Sequence, residues 1–456
     1  MPSESSFRTP GLSKPLQRLA IFIACLIIFT SSFDIFLVIE AGGNYRLCQV
    51  VVPILLLLAV LRARRAGEMP TLGATPLGFW LLFQVLFIPV AGFWPKSLGY
   101  CLWLVLNFAL LFSFVQLFSD HLPSLRTILR WYAVSFAVIA LFGIIQLALP
   151  LLGFGGPLVT QWWIQDSLAR ANGFSYEPSY FATYLVIGFV FVGALRHAES
   201  PLMPRTLLSV IYWVVAAGIF ASSSRMGIIF FFVDIFLYNL RPWSILLKDA
   251  VRLRVRLATL KALAPSIAYL CLAVAIAQGT ASVLEANPDI ALRFLNGTGL
   301  SDTAAHSVVQ RADSLGDTLT VFFQHPLLGQ SLGGVSAAIA DLHGERVTSF
   351  EATKAFEGMN VFAEALAASG IIGIIPFILF LRETIRRPAL LAPTVDPFYA
   401  TLLRALVRAL VFAWALLQFN QNMLRPYLWV HIAILAAVYN AARRSLPSGE
   451  QTLPST

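Results

Sequence analysis

The segment VFAEALAASGIIGIIPFILFL, residues 361–381, decides the fold class of this chain. It holds 21 residues, of which only Glu364 is charged. About 20 mostly apolar residues are enough for a helix to cross the hydrocarbon core of a bilayer. Similar runs begin near Leu19, Leu47, Thr75, Leu98, Ile128, Glu177, Leu207, Arg225, Leu263, Glu357, Ala400 and Pro426. The sequence therefore predicts an all-α, polytopic transmembrane helical bundle with about twelve spans.

The composition of the whole chain agrees with a membrane protein. Of 456 residues, 58% are hydrophobic and 12% are charged, and the mean hydropathy is +0.77. A soluble domain carries about a quarter charged residues. The 36 Phe and 10 Trp would add apolar surface that water does not tolerate on a folded exterior. We therefore expect the lipid bilayer, rather than water, to surround most of the chain.

The distribution of basic residues predicts the topology. The net charge is +9, which in a soluble protein would suggest nucleic acid as a partner. With twelve spans and a cytoplasmic N-terminus, however, 23 of the 32 Lys and Arg fall in inner segments, as the positive-inside rule requires. The basic surplus is thus explained by topology, and we predict no nucleic-acid partner and two cytoplasmic termini.

The predicted spans divide the chain into five parts. Residues 1–18 form a cytoplasmic tail, and residues 19–281 form a membrane region with nine spans. Within it, residues 241–262 are basic and amphipathic, which predicts a helix lying on the inner leaflet. Residues 282–356 form a large outer loop with helical segments, residues 357–442 hold the last three spans, and residues 443–456 form a second cytoplasmic tail.

Three outer arginines are candidates for binding an anionic substrate. Arg225 lies in SSSRMG at the start of a span, where a guanidinium and a helix N-terminus together favour phosphate. Arg170 precedes Glu177, and an acid and an arginine at a membrane entrance can share a substrate. Arg311 begins RADSLGDTLTVFFQHPLLGQSLG, a helix followed by a glycine-rich turn. Each candidate also has a purely structural interpretation. Arg225 could be an interfacial arginine behind a serine cap, Glu177 could mark an ordinary helix start, and Arg311 could begin a plain helix followed by a turn.

Carboxylates near the start of the tenth span are further candidates. Glu357, Asn360 and Glu364 are spaced i, i+3 and i+7 and share one helical face. A carboxylate within a span is a functional hypothesis by default, and its alternative is a hydrogen bond inside the bundle. Asp34 in the first span and Asp234 in the eighth raise the same question. The histidines are scattered without metal-ligand spacing, so the sequence predicts no metal site.

Four segments together resemble the O-antigen ligase and O-antigen/exopolysaccharide polymerase superfamily. SSSRMG matches the family's small-Ser-Arg-x-Gly element, and RADSLGDTLTVFFQHPLLGQSLGG matches its arginine-led helix ending in a Pro-Gly turn. MNVFAEALAASGIIGIIPFILFL is similar to the family's HNxxL element, and LARANGFSYEPSYFATYL to its R-x-x-G-x-x-x-x-P-x-x-x-A element. The resemblance covers about residues 170–381, and the span count and late outer loop are also those of the family.

The resemblance implies a bacterial inner-membrane glycosyltransferase that acts at the periplasmic face on a glycan carried by a polyprenyl diphosphate. It implies arginines that hold the diphosphate, no metal and no other cofactor, and it assigns these roles to Arg225 and Arg311 by motif position. A chain-length regulator and a flippase are candidate partners. Ligases of the family begin the HNxxL element with a histidine, whereas this chain has Met359. A polymerase therefore fits better, with Glu357 or Glu177 as the catalytic base and His343 as a fallback.

Two alternatives stay open beside the polymerase. The first is an O-antigen ligase, which would transfer finished glycan to lipid A core or to a protein. The second is a transporter or flippase of lipid-linked glycan, which would need charged groups along a path through both leaflets. The candidate residues gather on the outer face, and this favours an enzyme. The substrate-binding candidates are Arg225, Arg311, Arg170, Asn360 and Glu364.

Overall fold

The computed structural model describes residues 12–40, 44–251, 306–419 and 423–447, and most of them are helical. The helices are α1 (Lys14–Thr30), α2 (Leu47–Ala66), α3 (Ala74–Leu86), α4 (Trp94–Phe118), α5 (Leu122–Leu151), α6 (Pro178–His197), α7 (Arg205–Ala221), α8 (Arg225–Val251), α9 (His306–Gln324), α10 (Val335–Leu342), α11 (Phe350–Thr353), α12 (Val361–Leu391), α13 (Pro397–Leu416) and α14 (Pro426–Arg444). Four short strands are β1 (Val38–Glu40), β2 (Asn44–Arg46), β3 (Gln161–Ile164) and β4 (Leu168–Arg170). The predicted helical class is confirmed.

Eleven of the twelve predicted runs lie within the described residues, and each of them coincides with a helix. The run near Leu263 lies outside the described residues. Six of the helices, α2, α4, α5, α6, α12 and α13, are long and apolar enough to cross a membrane, and α3 and α7 are shorter apolar helices. A helical membrane bundle fits these elements, while the count of twelve spans and the large periplasmic loop stay predictions.

The core of the bundle is built around α6 and α14. Helix α14 is buried from Pro426 to Ala442 and packs against α4 and α13, while α6 packs against α13 and α7. Because α14 faces other helices on all sides, it can carry polar residues such as His431, which is fully buried. The exposed apolar side chains, for example Phe22 and Phe79, lie on the outer helices instead.

Helix α12 is interrupted at Gly370, and the loop after α9 occupies the break. Gly370 has φ +59° and ψ −174°, a combination essentially confined to glycine. The amide of Ile371 donates to the Pro326 carbonyl oxygen at 2.8 Å, and the amide of Gln330 donates to the Ala367 carbonyl oxygen at 3.0 Å. Backbone groups released by the break are thus satisfied by residues 326–331, as buried polar groups require.

Two hairpins depart from a purely helical chain. Strand β1 pairs with β2, and β3 pairs with β4, both antiparallel. Helix α1 ends at Thr30, so Asp34 lies in a bend beyond the helix and not within a first span as expected. The amide of Asp34 donates to the Phe174 carbonyl oxygen at 2.8 Å, which places the loop after α1 beside the loop before α6.

The basic segment predicted at residues 241–262 begins inside a longer helix. Helix α8 starts at Arg225 and continues through Val251, so residues 241–251 extend it. The remainder of the segment lies outside the described residues. Of the predicted outer loop, residues 306–356 are described, and they contain α9, α10 and α11.

Candidate functional site

The fold brings the three candidate arginines together. Arg170 ends β4, Arg225 begins α8 and Arg311 lies in the first half of α9. Burial lowers the pKa of the Arg170 guanidinium, and the positive charge of Arg225 lowers it further. Arg225 in turn lies within electrostatic range of Arg311. We call Arg170, Arg225 and Arg311 the arginine cluster.

Arg170 is held by its own hairpin. Its Nη1 donates to Gln161 Oε1 at 2.8 Å, and Gln161 is also its partner in the strand register. The guanidinium lies 5.2 Å from the ring centre of Trp163, within cation–π range. Its buried Nε has no hydrogen-bond partner among the described residues. Gln161 and Trp163 belong to the QWW sequence, so this motif orients Arg170.

The serines before Arg225 cap α8 as their sequence predicts. Ser224 Oγ accepts a hydrogen bond from the Gly227 amide at 3.4 Å, and Ser222 Oγ accepts one from the Ser224 amide at 3.1 Å. Ser223 has φ +50°, which gives the tight turn into the helix. The N-terminus of α8, with its partial positive charge, therefore lies at the arginine cluster.

Helix α9 brings Arg311 close to Glu357. Ser314 lies one turn after Arg311 on the same face, and its Oγ donates to the Glu357 carbonyl oxygen at 3.1 Å. Arg311 is half-buried and has no hydrogen-bond or ion-pair partner among the described residues. Since no described residue serves as its counterion and a second arginine lies nearby, Arg311 can bind an anionic ligand.

Glu357 is anchored by residues that the sequence did not single out. Lys96 Nζ lies 2.8 Å from Glu357 Oε1, and the Tyr100 hydroxyl donates to the same oxygen at 3.0 Å. Lys96 also donates to Ser336 Oγ at 3.0 Å, and its side chain is only 4% exposed. The position of the Glu357 carboxylate is thus fixed by α4 and α10.

The predicted helical face shared by Glu357, Asn360 and Glu364 is wrong, because Glu357 lies in the loop before α12 and Asn360 is the N-cap residue, so only Glu364 is inside the helix. Asn360 caps α12: its Oδ1 accepts from the amides of Phe362 and Ala363 at 3.0 Å, and its Nδ2 donates to the Gln418 carbonyl oxygen at 3.2 Å. These structural hydrogen bonds use both ends of the Asn360 side-chain amide. The Glu364 side chain is buried within electrostatic range of Glu357, and it has no hydrogen-bond partner among the described residues.

Glu177 lies within electrostatic range of Arg170, a member of the arginine cluster. It is the N-cap residue of α6, where it accepts a hydrogen bond from Ser179 Oγ at 2.9 Å. Its charge acts on Arg170 and on Tyr180, and Tyr180 is also within range of Glu357. Glu177, at the start of α6, and Glu357, in the loop before α12, therefore both act on Tyr180.

A fourth arginine, Arg425, joins this region. Arg425 forms a buried ion pair with Asp34, and Asp34 also accepts a hydrogen bond from Arg46 Nε at 2.8 Å. Burial would raise the pKa of the Asp34 carboxyl, but Arg425 and Arg46 hold it below its ordinary value. The Arg425 guanidinium lies 3.7 Å from the ring centre of Tyr180. The sequence did not single out Arg425, because its partner Asp34 lies 391 residues away.

Two further candidates are explained by local partners. His343 Nε2 lies 2.9 Å from Asp317 Oδ2 on α9. The fallback base is therefore paired with Asp317, which is not one of the candidate carboxylates. Asp234 on α8 forms an ion pair with Arg408 at 2.7 Å. Within the described residues, no three His, Cys, Asp or Glu side chains are grouped as metal ligands would be.

The site as a whole is a set of cations beside three carboxylates. The carboxylates are those of Glu177, Glu357 and Glu364, and they lie with the arginine cluster near Tyr180 and Arg425. Asn360 instead caps α12. No protein-family model matches this chain, and no curated protein matches it either. The chemistry of these residues is therefore the basis for assigning a function.

Proposed function

We propose that this chain is a membrane glycosyltransferase that polymerises polyprenyl-diphosphate-linked oligosaccharide repeat units into a surface polysaccharide at the periplasmic face of the inner membrane. The observation that carries the proposal is the arginine cluster beside Glu357. A cluster of arginines can bind the diphosphate leaving group of such a donor. A positioned carboxylate can accept the proton that the acceptor hydroxyl must lose.

The charge of the arginine cluster supports a diphosphate ligand. Arg311 has no acidic partner among the described residues, and Glu177 is the one acid whose charge acts on Arg170. Guanidinium groups bind phosphate oxygens bidentately, and such charge-assisted hydrogen bonds are shorter and stronger than neutral ones. As the glycosidic bond breaks, charge develops on the diphosphate, and cations already in place stabilise it without reorganisation.

The proposed reaction uses the arginine cluster and a carboxylate base. The acceptor hydroxyl attacks the anomeric carbon of the donor sugar, and the bond from that carbon to the diphosphate oxygen breaks. The electron pair of that bond leaves with the polyprenyl diphosphate, and the acceptor proton passes to a carboxylate. Glu357 is the proposed base because Lys96 and Tyr100 fix its position, and Glu177 is the second candidate.

The placement of the charges favours an enzyme over a transporter. A transporter would need ionisable groups that a substrate could reach through both leaflets. Here Asp234 is paired with Arg408, while the groups available to a ligand lie at the ends of helices and in the loops on one face.

The deciding experiment compares lipid-linked glycans in cells with and without this protein. Polyprenyl-diphosphate glycans are extracted and sized by mass spectrometry. Single repeat units that accumulate on the lipid, without long polymer, are the expected result for a polymerase. Long polymer stranded on the lipid carrier would identify a ligase instead, and unchanged lipid-linked glycan would refute both.

Single substitutions test the arginine cluster in the same assay. We expect Arg225→Ala and Arg311→Ala each to lower polymer formation by about 10²-fold or more, the usual cost of removing a group that stabilises developing charge. Arg346→Ala is the matched control, since Arg346 is exposed in the same loop region and outside the cluster. Full-length polymer from both cluster variants, with protein levels equal to wild type, would contradict the diphosphate role.

A further inference from the structure

A second polar site lies at the other end of α1. A cleft of about 390 Å³ opens between the start of α1, the end of α2 and the junction of α4 with α5. Asp34 and the site around it follow the C-terminal end of α1, so this cleft is separated from them by the length of that helix. We call it the basic cleft, and it lies on the face that we predict to be cytoplasmic.

The basic cleft carries a surplus of positive charge. Its ionisable lining residues are Lys14, Arg18, Arg62, Asp120 and His121. Arg62 is buried and forms an ion pair with Asp120, and the described lining residues include no second acid for Lys14 and Arg18. Lys14 and Arg18 have no hydrogen-bond or ion-pair partner among the described residues and are exposed at the cleft. The cleft is thus suited to an anion.

The floor of the cleft is formed by polar side chains held in place by hydrogen bonds. Gln17 Nε2 donates to Ser124 Oγ at 3.0 Å, which joins α1 to the first turn of α5. His121 Nδ1 lies 2.6 Å from Ser124 Oγ and accepts from the Ser124 amide at 3.2 Å. The buried Nε of Arg62 has no hydrogen-bond partner among the described residues. Polar groups and the N-terminus of the 30-residue helix α5 therefore surround the same space.

The surface beside the cleft is suited to acyl chains. Lys14, Arg18 and Phe22 follow each other at i, i+4 and i+8, so they lie in one stripe along α1. Phe22 is 66% exposed and its neighbour Leu19 is 42% exposed, as lipid-facing side chains are. A ligand with an anionic head and an apolar tail would contact both parts of this stripe.

We infer that the basic cleft binds the phosphate of an anionic phospholipid headgroup, with the acyl chains of that lipid lying along α1 at Leu19 and Phe22. Basic pockets between membrane helices on the cytoplasmic side are known to bind such headgroups. This inference does not depend on the proposed glycosyltransferase activity.

The test measures lipid binding to the purified full chain by native mass spectrometry, with dioleoyl-phosphatidylglycerol and dioleoyl-phosphatidylcholine as probes. We expect one phosphatidylglycerol to be retained in preference to phosphatidylcholine. The double variant Lys14→Gln/Arg18→Gln should weaken that binding roughly 25-fold, since each basic residue near an anionic lipid contributes about a factor of five. Arg64→Gln/Arg65→Gln is the matched control, because it removes the same charge from exposed residues of α2 that do not line the cleft.

Each other outcome overturns the inference. Equal losses in the two double variants would mean diffuse attraction to surface charge, and no loss in either would mean that the cleft is not the site. Binding of inorganic phosphate alone, with the same dependence on Lys14 and Arg18 and with phosphatidylglycerol no better than phosphatidylcholine, would identify a soluble phosphate ligand. Size-exclusion profiles equal to wild type establish that the variants are folded, which is expected because both side chains are exposed.

Discussion

At the scale of single residues, Glu357 and its neighbours decide the proposed proton transfer. Glu357→Gln keeps the size of the side chain and removes its basicity. We expect kcat to fall by about 10²–10⁴-fold, the usual contribution of a general base, while KM for the lipid-linked donor changes little. Glu351→Gln is the control, because Glu351 is an exposed residue of α11 whose ion pair is with Lys354 on the surface. Polymerisation with purified donor measures both constants. If Glu357→Gln stays active and Glu177→Gln does not, Glu177 is the base.

The Asp34 carboxylate gives a prediction for the dependence of stability on pH. Its pKa is held below the ordinary value by Arg425 and Arg46, despite burial that would raise it. A carboxyl with a lowered pKa stabilises the fold at pH values above its unfolded pKa, about 3.9, and loses that contribution as the pH falls through its folded pKa. Removing one partner of a buried ion pair costs about 3–5 kcal/mol.

We therefore expect Asp34→Asn to lower the Tm strongly at pH 7 and by less at pH 3, which lies below the unfolded pKa. Tryptophan fluorescence of the purified protein during heating at the two pH values measures this difference. Asp341→Asn, at an exposed carboxylate, should leave the Tm unchanged at both. A gap between wild type and Asp34→Asn that is equal at pH 7 and pH 3 would show that the charge of Asp34 contributes nothing.

The candidate residues that the sequence could reveal are those with a local signal. Arg225 follows three serines and begins an apolar run, and Glu364 interrupts another apolar run, so each is visible within about ten residues. Lys96 gave no such signal, because its partner Glu357 lies 261 residues further along the chain. Contacts at that separation are made by helix packing, which a single sequence does not encode in any local pattern.

At the scale of elements, the break in α12 is the feature that apolar patterning does not predict. Residues 361–381 read as one continuous span, and only the loop at residues 326–331 explains why Gly370 leaves the helical conformation. The hairpins were missed for a related reason, since three- and four-residue strands are too short to show alternation. The long helices were predictable because each apolar run is itself long enough to specify one.

Gly370 provides the test of this break. A Cβ at this position would overlap the Leu327 carbonyl carbon, and its backbone conformation is strained for any other residue. We expect Gly370→Ala to destabilise the protein by at least about 2 kcal/mol and to displace the loop after α9. The Tm in nanodiscs measures the first effect. Gly78→Ala in α3 is the control, because no atom lies near its added methyl and alanine favours a helix. Equal Tm values for the two variants would contradict the role of the break.

At the scale of the whole molecule, contacts between helix ends define two faces. On one face, Gln17 of α1 contacts Ser124 of α5, and Arg130 Nε donates to the Leu202 carbonyl oxygen in the α6–α7 turn at 2.9 Å. On the other face, the loop after α1 contacts the loop before α6 and the start of α14. The basic residues predict that the first group of ends is cytoplasmic and the second periplasmic, and the contacts within each group are compatible with that predicted topology.

That agreement leads to a prediction about sidedness. In a background with its four cysteines replaced, single cysteines are placed at Asp166 in the β3–β4 turn, at Arg346 and at Glu199 in the α6–α7 turn. We expect a membrane-impermeant maleimide to label Asp166→Cys and Arg346→Cys in intact spheroplasts, and to label Glu199→Cys only after permeabilisation. All three positions are exposed, so labelling depends only on the side of the membrane on which each cysteine lies. Labelling of Glu199→Cys in intact cells would reverse the orientation, and it would place the arginine cluster in the cytoplasm, where a periplasmic polymerisation could not use it.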